Sequence, residues 1–207
     1  MELIDAIEPL VELFEVRIDL IGDDWQQVIK RLKKPWIACN RSAAEGGKWG
    51  GDEVRRIEEL VEAAKLGANI VDIEMETKNL AAVMPVIKQR AKCLLSFHQL
   101  KKTPPLEELK RIINKQSEAG ADICKVVTTA QSFEDNLTIL QLIADFAQTK
   151  MVSFAMGPLG VSSRILCPLV GGDFTYASIE KGKESAPGQI TARNLRAIYE
   201  MLAQEER

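Results

Sequence analysis

A lysine stands inside a stretch of the chain that otherwise has the composition of a buried β-strand. Lys125 lies within residues 121–129, which read Ala-Asp-Ile-Cys-Lys-Val-Val-Thr-Thr. Lysine is almost never fully buried without a reason, and a dry environment shifts it towards the free amine that attacks carbonyl carbons. Lys125 is therefore a candidate for Schiff-base chemistry. The alternative is a strand-end lysine whose ammonium group reaches solvent.

The single histidine of the chain also ends a strand-like segment. His98 is the last residue of 92–98, and its unperturbed pKa suits general acid–base catalysis near neutrality. The alternative is a histidine that only packs in the core or caps an element. His98 is expected to point to the same face of the sheet as Lys125, however, and this favours a catalytic role. Glu45 lies in the glycine-rich loop 45–51, where it is either a solvated acid or the partner that orients His98.

Seven segments with strand composition alternate with helical segments and must position these groups. They cover residues 13–19, 35–41, 69–75, 92–98, 121–129, 151–156 and 173–178. Alternation at a spacing of roughly 20–35 residues predicts a parallel α/β fold. A (β/α)₈ TIM barrel has eight strands and about 250 residues, whereas residues 1–10 predict a helix with no strand before it. We therefore expect a TIM barrel whose first strand is missing or very short, in a single catalytic domain over residues 1–207.

The polar residues of these strands gather on one face of each strand. Side chains alternate in direction along a strand, and in a barrel one face points to the surrounding helices while the other points into the lumen. Interior ion pairs explain part of the set, in particular Asp72 and Glu74. We nevertheless predict a site at the carboxyl-terminal mouth of the barrel. The residues expected to converge there are Glu15, Arg17, Arg41, Asp72, Glu74, His98 and Lys125.

Two features that follow the sixth predicted strand extend the candidate site. Arg164 lies on the first turn of a helix, where it is either a surface arginine or a bidentate clamp on a substrate carboxylate. Residues 185–189, Ser-Ala-Pro-Gly-Gln, form either an ordinary connection or a lid that closes over substrate.

Composition excludes several classes of protein. The net charge of −3, with 46% hydrophobic residues, gives no electrostatic footprint for nucleic acid or an anionic membrane. No apolar run approaches the roughly 20 residues that span a bilayer, and the first residues lack the features of a signal peptide. The four cysteines are widely spaced without a Cys-x-x-Cys pair, which argues against zinc and for buried thiols. We therefore expect a cytoplasmic protein without a metal, a nucleic-acid partner or a membrane anchor.

Six short motifs, in this order along the chain, resemble those of the type I 3-dehydroquinate dehydratases, the Schiff-base dehydratases of the shikimate pathway. Each motif alone is weak, but all six lie at or just after a predicted barrel strand. The resemblance extends from about Glu12 to the final helix. The motifs are Phe-Glu-Val-Arg-Ile-Asp at 14–19, Arg-Ser-Ala-Ala-Glu-Gly-Gly at 41–47, Ser-Phe-His at 96–98, Ile-Cys-Lys-Val at 123–126, Met-Gly-Pro-Leu-Gly-Val-Ser-Ser-Arg at 156–164 and Ser-Ala-Pro-Gly-Gln at 185–189.

This resemblance implies a reaction and a role for each matched residue. Lys125 would form an imine with the C3 ketone of 3-dehydroquinate, His98 would transfer protons, and Glu45 would orient the histidine. Arg164 would bind the carboxylate. The remaining substrate-binding residues would be Glu15, Arg17, Arg41, Ser185 and Gln189. The family needs no cofactor, its members are commonly homodimers, and the reaction is the third step of chorismate biosynthesis.

Two other functions fit parts of the same pattern. A class I aldolase acting on a sugar phosphate would also use a strand lysine, and it would need a phosphate cradle of backbone N–H groups after the last two strands. Gly157 and Gly160 allow such a cradle weakly. A barrel that only binds a metabolite or a partner is the second alternative, although a binder has no use for an imine-forming lysine.

Overall fold

The computed structural model describes residues 2–204 and contains one parallel sheet of six strands in sequential order. Every pair of neighbouring strands is parallel. The strands are β1 (Phe14–Arg17), β2 (Trp36–Cys39), β3 (Ile70–Glu74), β4 (Lys92–His98), β5 (Ile123–Thr129) and β6 (Met151–Met156). Sequential parallel order with helical crossovers is the pattern of the α/β barrel, so the predicted fold class is confirmed.

Nine α-helices within the described residues connect and cover the strands. They are α1 (Glu2–Ile7), α2 (Ile18–Ile21), α3 (Trp25–Ile29), α4 (Glu53–Lys65), α5 (Leu80–Lys88), α6 (Leu106–Glu118), α7 (Glu134–Asp145), α8 (Val161–Leu166) and α9 (Ala192–Gln204). Over residues 2–204, every helix is too short or too polar to cross a membrane.

The two ends of the predicted barrel differ from a complete eight-stranded fold. Residues 2–10 form α1 and a 3-10 turn, Glu8–Leu10, so the described chain has no strand before β1. This agrees with the expectation that the first strand is missing. The prediction of a seventh strand at 173–178 is wrong, because only its ends make strand-like contacts: Asp173 N–H donates to the Met151 carbonyl at 2.7 Å, and Ser178 forms an isolated bridge with Thr191.

The alternation that suggested this seventh strand has another physical cause. The aromatic rings of Phe174 and Tyr176 pack edge to face with centroids 5.5 Å apart, and Tyr176 also contacts Phe154. An extended segment whose alternate side chains pack inward has the same period of two as a hydrogen-bonded strand. The period of two in residues 173–178 therefore predicted correctly which side chains point inward. It did not show that the backbone pairs with a neighbouring strand.

An apolar layer of side chains lies inside the sheet, below the polar residues. Ile37, Ile70, Leu94, Ile123 and Val152 belong to one buried cluster inside the sheet. Except for Val152, each lies two positions before a cysteine, serine or charged residue of its own strand. Two further clusters lie between the outer face of the sheet and the helices. All four cysteines are buried free thiols, as the sequence predicts. The polar side chains are thus bordered by buried apolar residues, which limits their contact with bulk water.

Candidate active site

A cavity of about 260 Å³ opens at the carboxyl-terminal ends of the strands. Its size is near the lower end of typical small-molecule sites, about 300 Å³. All nine residues that the sequence predicts as catalytic or substrate-binding line this one cavity. They are Glu15, Arg17, Arg41, Glu45, His98, Lys125, Arg164, Ser185 and Gln189. The structure therefore brings together groups that are up to 174 positions apart, since the set runs from residue 15 to residue 189.

Lys125 lies in the middle of β5 and does not reach solvent, because only 4% of the residue is exposed. Its Nζ is 2.8 Å from Oδ2 of Asp72 and 3.1 Å from the hydroxyl of Tyr176. Glu15 Oε1 lies farther away, at 3.9 Å. The alternative of a lysine that snorkels to solvent is therefore wrong, and the nitrogen is held inside the cavity.

Asp72 is the acid that compensates the buried cations. Arg41 Nη2 lies 2.6 Å from Asp72 Oδ1, and Lys125 contacts the other carboxylate oxygen. Burial alone would raise the pKa of Asp72, but the charges of Arg41 and Lys125 outweigh it and hold this pKa well below its usual range. Asp72 therefore stays ionised, and it belongs to the interior ion-pair network that the sequence allowed for this residue.

Arg41 is fixed from several sides rather than free in the cavity. Its Nη1 donates to Ser96 Oγ at 2.7 Å, and this hydroxyl donates in turn to Asp72 at 2.6 Å. The same Nη1 lies 3.4 Å from Glu45 and from Glu74. Since these partners already take up much of the guanidinium, Arg41 organises the acids of the cavity as well as lining it.

His98 and Glu45 form the second ionisable pair. Nδ1 of His98 lies 2.7 Å from Oε2 of Glu45. Burial raises the pKa of Glu45 to about 8. Burial, reinforced by Arg41 and Lys125, lowers the pKa of His98 well below its usual range. The imidazole is therefore neutral near pH 7, which is the charge state that a histidine base requires.

The loop that carries Glu45 is shaped by close backbone contacts. A 3-10 turn, Ala43–Glu45, is followed by Gly46 in the left-handed conformation. A Cβ atom on Gly47 would lie 2.0 Å from the carbonyl oxygen of Arg41, so only glycine fits at that position. The glycines after Glu45 thus permit the loop to fold back against the backbone of Arg41, and the Glu45 carboxylate contacts His98.

Arg164, on α8, carries a buried charge whose donors are largely unused. Its residue exposure is 1%, and its Nη2 donates a long bond, 3.4 Å, to the Pro187 carbonyl. Within the described chain, Nε and Nη1 have no hydrogen-bond partner. Burial lowers the pKa of Arg164 to about 10, so it remains a cation at neutral pH. A buried cation with free donors at a cavity wall is suited to bind an anionic group.

Phe154 supports this arginine from below. The Cζ atom of Arg164 lies 4.1 Å from the centroid of the Phe154 ring. A guanidinium over an aromatic face is stabilised by cation–π attraction. This contact holds the guanidinium at the cavity wall, and its Nε and Nη1 groups, which have no hydrogen-bond partner among the described residues, are left for a ligand.

Residues 185–189 close the cavity on its outer side. The backbone N–H of Gly157 donates to the Pro187 carbonyl at 3.1 Å. Gly188 has φ +78°, and a Cβ atom there would lie 2.4 Å from the Gly157 carbonyl oxygen. Ser185 and Gln189 hydrogen-bond to each other across the loop, with the Ser185 N–H donating to Gln189 Oε1 at 2.8 Å. The loop is therefore docked against the cavity, and its role as a lid stays a prediction.

Tyr176 is a cavity residue next to Lys125 that sequence reasoning missed. Its hydroxyl contacts Lys125, and its ring centroid lies 4.3 Å from the lysine Nζ. The period of two in residues 173–178 could have placed Tyr176 on the inward face, but nothing in the sequence relates it to Lys125.

One set of possible metal ligands lies next to Lys125. Among the described residues, one ligand atom each of Glu15, Cys39 and Asp72 lies within 4.8 Å of the others. Burial raises the pKa of Cys39 to about 12, so its thiol is protonated, and Asp72 is already neutralised by two cations. The chemistry of this donor set does not suit a divalent metal.

The chain is similar to known proteins over nearly its whole length. The family profile described as type I 3-dehydroquinase matches residues 1–206. Over 186 residues the chain is 45% identical to a 3-dehydroquinate dehydratase of Dehalococcoides mccartyi. This alignment covers 90% of this chain and 84% of that protein. Over 212 residues it is 36% identical to a 3-dehydroquinate dehydratase of Methanosarcina mazei, covering 95% and 88%. The crystal structure of the 3-dehydroquinate dehydratase from Geobacillus kaustophilus matches with a TM-score of 0.87 and 26% identity, over 100% of this chain and 86% of that one.

Proposed function

Because the chain belongs to the type I 3-dehydroquinase family, we propose a role for each residue of its cavity in the family reaction. That reaction is the dehydration of 3-dehydroquinate to 3-dehydroshikimate, a carbon–oxygen lyase step of the shikimate pathway. The observation that carries the assignment is the buried Lys125, held 2.8 Å from Asp72 in the same cavity as the His98–Glu45 pair.

Lys125 is the nucleophile. Its neutral amine adds to the C3 carbonyl of the substrate, the C3 oxygen leaves as water, and a protonated imine remains. Asp72 lies against this nitrogen and stabilises the positive charge of the ammonium ion and of the protonated imine. The imine draws electrons from C2, so the C2 proton becomes acidic enough for a neutral imidazole to remove.

His98 is the acid–base residue of the elimination. The imidazole takes the C2 proton, and the electron pair enters an enamine that includes the Lys125 nitrogen. The resulting imidazolium then protonates the C1 hydroxyl, which leaves as water while the C1–C2 double bond forms. Hydrolysis of the imine by water returns the amine and releases the product ketone. Glu45 orients His98 through the 2.7 Å contact.

Arg164 binds the substrate carboxylate. Its unpaired Nε and Nη1 atoms offer the planar fork that matches a carboxylate. The other polar residues of the cavity hold the ring hydroxyls and help with the carboxylate. These are Glu15, Arg17, Arg41, Ser185 and Gln189.

The sugar-phosphate aldolase is less well supported. A phosphate cradle after β6 would need free backbone N–H groups, but Gly157 N–H donates to Pro187 and Gly160 N–H donates to the Gly157 carbonyl at 3.0 Å. The backbone donors that the sequence left available for phosphate are therefore engaged within the protein.

The test follows the conjugated product by ultraviolet absorbance and traps the imine with borohydride. Product formation with a mass-labelled Lys125 supports the whole scheme. Lys125→Met is expected to abolish both signals, while the control Lys92→Met, at an exposed strand lysine, leaves both unchanged. Product without an adduct on Lys125 would overturn the imine mechanism.

We further propose that residues 1–207 act as a single catalytic domain and assemble as a homodimer in the cytoplasm. Site residues run from β1 to the loop before α9, which supports one indivisible unit. The four buried free thiols suit a reducing compartment. Light scattering on the purified chain tests the dimer, and a monomer mass at micromolar concentration would contradict it.

A further inference from the structure

We propose that Tyr176 is a positioning residue for Lys125: its hydroxyl and Asp72 together direct the reactive lone pair of the lysine nitrogen into the cavity. The inference rests on the proposed function of Lys125 as the imine-forming amine.

The geometry at the nitrogen carries the proposal. An ammonium group has three hydrogens in fixed directions. Asp72 Oδ2 at 2.8 Å and the Tyr176 hydroxyl at 3.1 Å occupy two of them. Glu15 Oε1, at 3.9 Å, is too far away for a hydrogen bond, so the residues that the structure describes leave the third hydrogen without an acceptor. When the amine loses a proton and keeps both hydrogen bonds, its lone pair takes this third direction, towards the space where a substrate carbonyl would lie.

Tyr176 itself is rigidly held. Its ring packs edge to face against Phe154 and Phe174, with centroid distances of 5.9 and 5.5 Å. The extended segment is fixed at one end by the 2.7 Å bond from Asp173 and at the other by the bridge at Ser178. A hydroxyl on such a frame has little freedom, so it can define the position of a flexible lysine side chain.

The hydroxyl and the ring of Tyr176 contribute in different ways. Burial raises the pKa of Tyr176 well above its usual range, so the hydroxyl stays neutral and cannot act as a base. It accepts a hydrogen bond from the ammonium ion and thereby orients the nitrogen. The ring, 4.3 Å from Nζ, stabilises positive charge on the ammonium ion and on the protonated imine. Removing the hydroxyl while keeping the ring therefore isolates the orienting effect.

The experiment compares wild type, Tyr176→Phe and Tyr176→Leu in rapid-quench trapping of the imine at a series of pH values. Loss of one hydrogen bond to the nucleophile is expected to lower the maximal rate of imine formation about tenfold in Tyr176→Phe, with KM within twofold of wild type. Tyr176→Leu, which also loses the ring, is expected to be slower still. The control is Tyr199→Phe, which removes a hydroxyl that donates to the Ile165 carbonyl; neither residue lines the cavity, so the variant should behave as wild type.

The other charged groups around Lys125 remain unchanged in Tyr176→Phe, so a lower maximal rate of imine formation reports the lost hydroxyl. These groups are Asp72, Glu15, Arg41, Glu45 and His98.

Reductive methylation of Lys125 by formaldehyde, without substrate, separates positioning from basicity. Formaldehyde is small enough to approach the amine from several directions, so its reaction with Tyr176→Phe should lose less than threefold in maximal rate. Equal losses with formaldehyde and with substrate would overturn the positioning role. So would a wild-type maximal rate of imine formation in Tyr176→Phe. Absence of any trapped Lys125 in wild type would instead overturn the proposed function, and this inference with it.

Discussion

The carboxylate of Glu45 lies 2.7 Å from Nδ1 of His98, on the side of the ring away from Nε2. When Glu45 is ionised, it accepts a hydrogen bond from the Nδ1–H group, so Nε2 is unprotonated and can act as a base. When Glu45 is protonated, it donates to Nδ1, and the ring proton is then on Nε2. Ionisation of Glu45 therefore selects the tautomer of His98 that can remove a substrate proton.

This coupling predicts a pH profile. Because burial raises the pKa of Glu45 to about 8, the base-competent pair accumulates as the pH rises, and kcat should increase through an apparent pKa near 8. Glu45→Gln cannot ionise, so its profile should lack that rise, and kcat at pH 8 should fall by about 10- to 100-fold. Steady-state rates from pH 6 to 9 test this. The exposed Glu76 provides the control, Glu76→Gln; a rise near pH 8 that persists in Glu45→Gln would refute the coupling.

Arg164 predicts a defect in binding. Arg164→Lys keeps the charge but loses the planar fork and the stacking on Phe154. KM should rise about 10- to 100-fold, the usual worth of hydrogen bonds to a charged group, with a smaller change in kcat. Calorimetric titration with shikimate, a non-reactive carboxylate, should show the same loss. Arg196→Lys, at an exposed position, is the matched control, and an unchanged KM in Arg164→Lys would remove the carboxylate assignment.

Replacing Asp72 is expected to lower the stability of the fold, with a defined pH dependence. Asp72→Asn leaves Arg41 and Lys125 without their shared counter-ion, and breaking a buried pair destabilises by about 3–5 kcal/mol. The folded pKa of Asp72 lies below its ordinary value of 3.8. Its stabilisation is therefore present above that value and is lost as the pH falls through the acid range.

Urea unfolding at pH 7, 5 and 3.5 measures this effect. Wild type should lose stability with falling pH more steeply than Asp72→Asn, because the variant lacks the titrating group. Asp145→Asn, which changes an exposed acid paired with Lys110, controls for the loss of one carboxylate. Parallel pH curves for wild type and Asp72→Asn would contradict the prediction.

Gly188 predicts a defect that is confined to the loop over the cavity. An alanine there would be strained at φ +78° and would also meet the Gly157 carbonyl at 2.4 Å. Gly182→Ala is the matched control, since Gly182 has φ +83° but an added Cβ would meet nothing within 4 Å. Both variants carry backbone strain of about 1–3 kcal/mol, but only Gly188→Ala should raise KM, by at least fivefold, with an unchanged circular dichroism spectrum. Equal KM values for the two variants would show that loop docking does not matter.

The strand period predicted most of the site, for a physical reason. Parallel strands in a barrel have their carboxyl ends at one mouth, so parity and position in sequence place Lys125, His98 and Glu15 together without any knowledge of contacts. The period does not require a hydrogen-bonded ladder, however, which is why residues 173–178 are extended yet form no strand.

The sequence could not predict which side chains contact each other across the barrel. Ser96 bridges Arg41 and Asp72, and Tyr176 contacts Lys125. Each of these contacts joins elements that are far apart in the chain, and their identity depends on strand register and side-chain rotamers. The sequence could indicate that polar groups converge, but it could not say which pairs they form.

Every strand of the sheet contributes to the site: Glu15 on β1, Cys39 on β2, His98 on β4, Lys125 on β5 and Phe154 on β6 line the cavity, and Asp72 on β3 holds the Lys125 nitrogen at 2.8 Å. Detachment of any single strand would therefore dismantle the site while most of the sheet remained in place. We therefore expect catalysis to require that all six strands are in place at once. Turnover is thus a sensitive reporter of partial melting, including fraying of the four-residue edge strand β1, before global spectroscopic signals change.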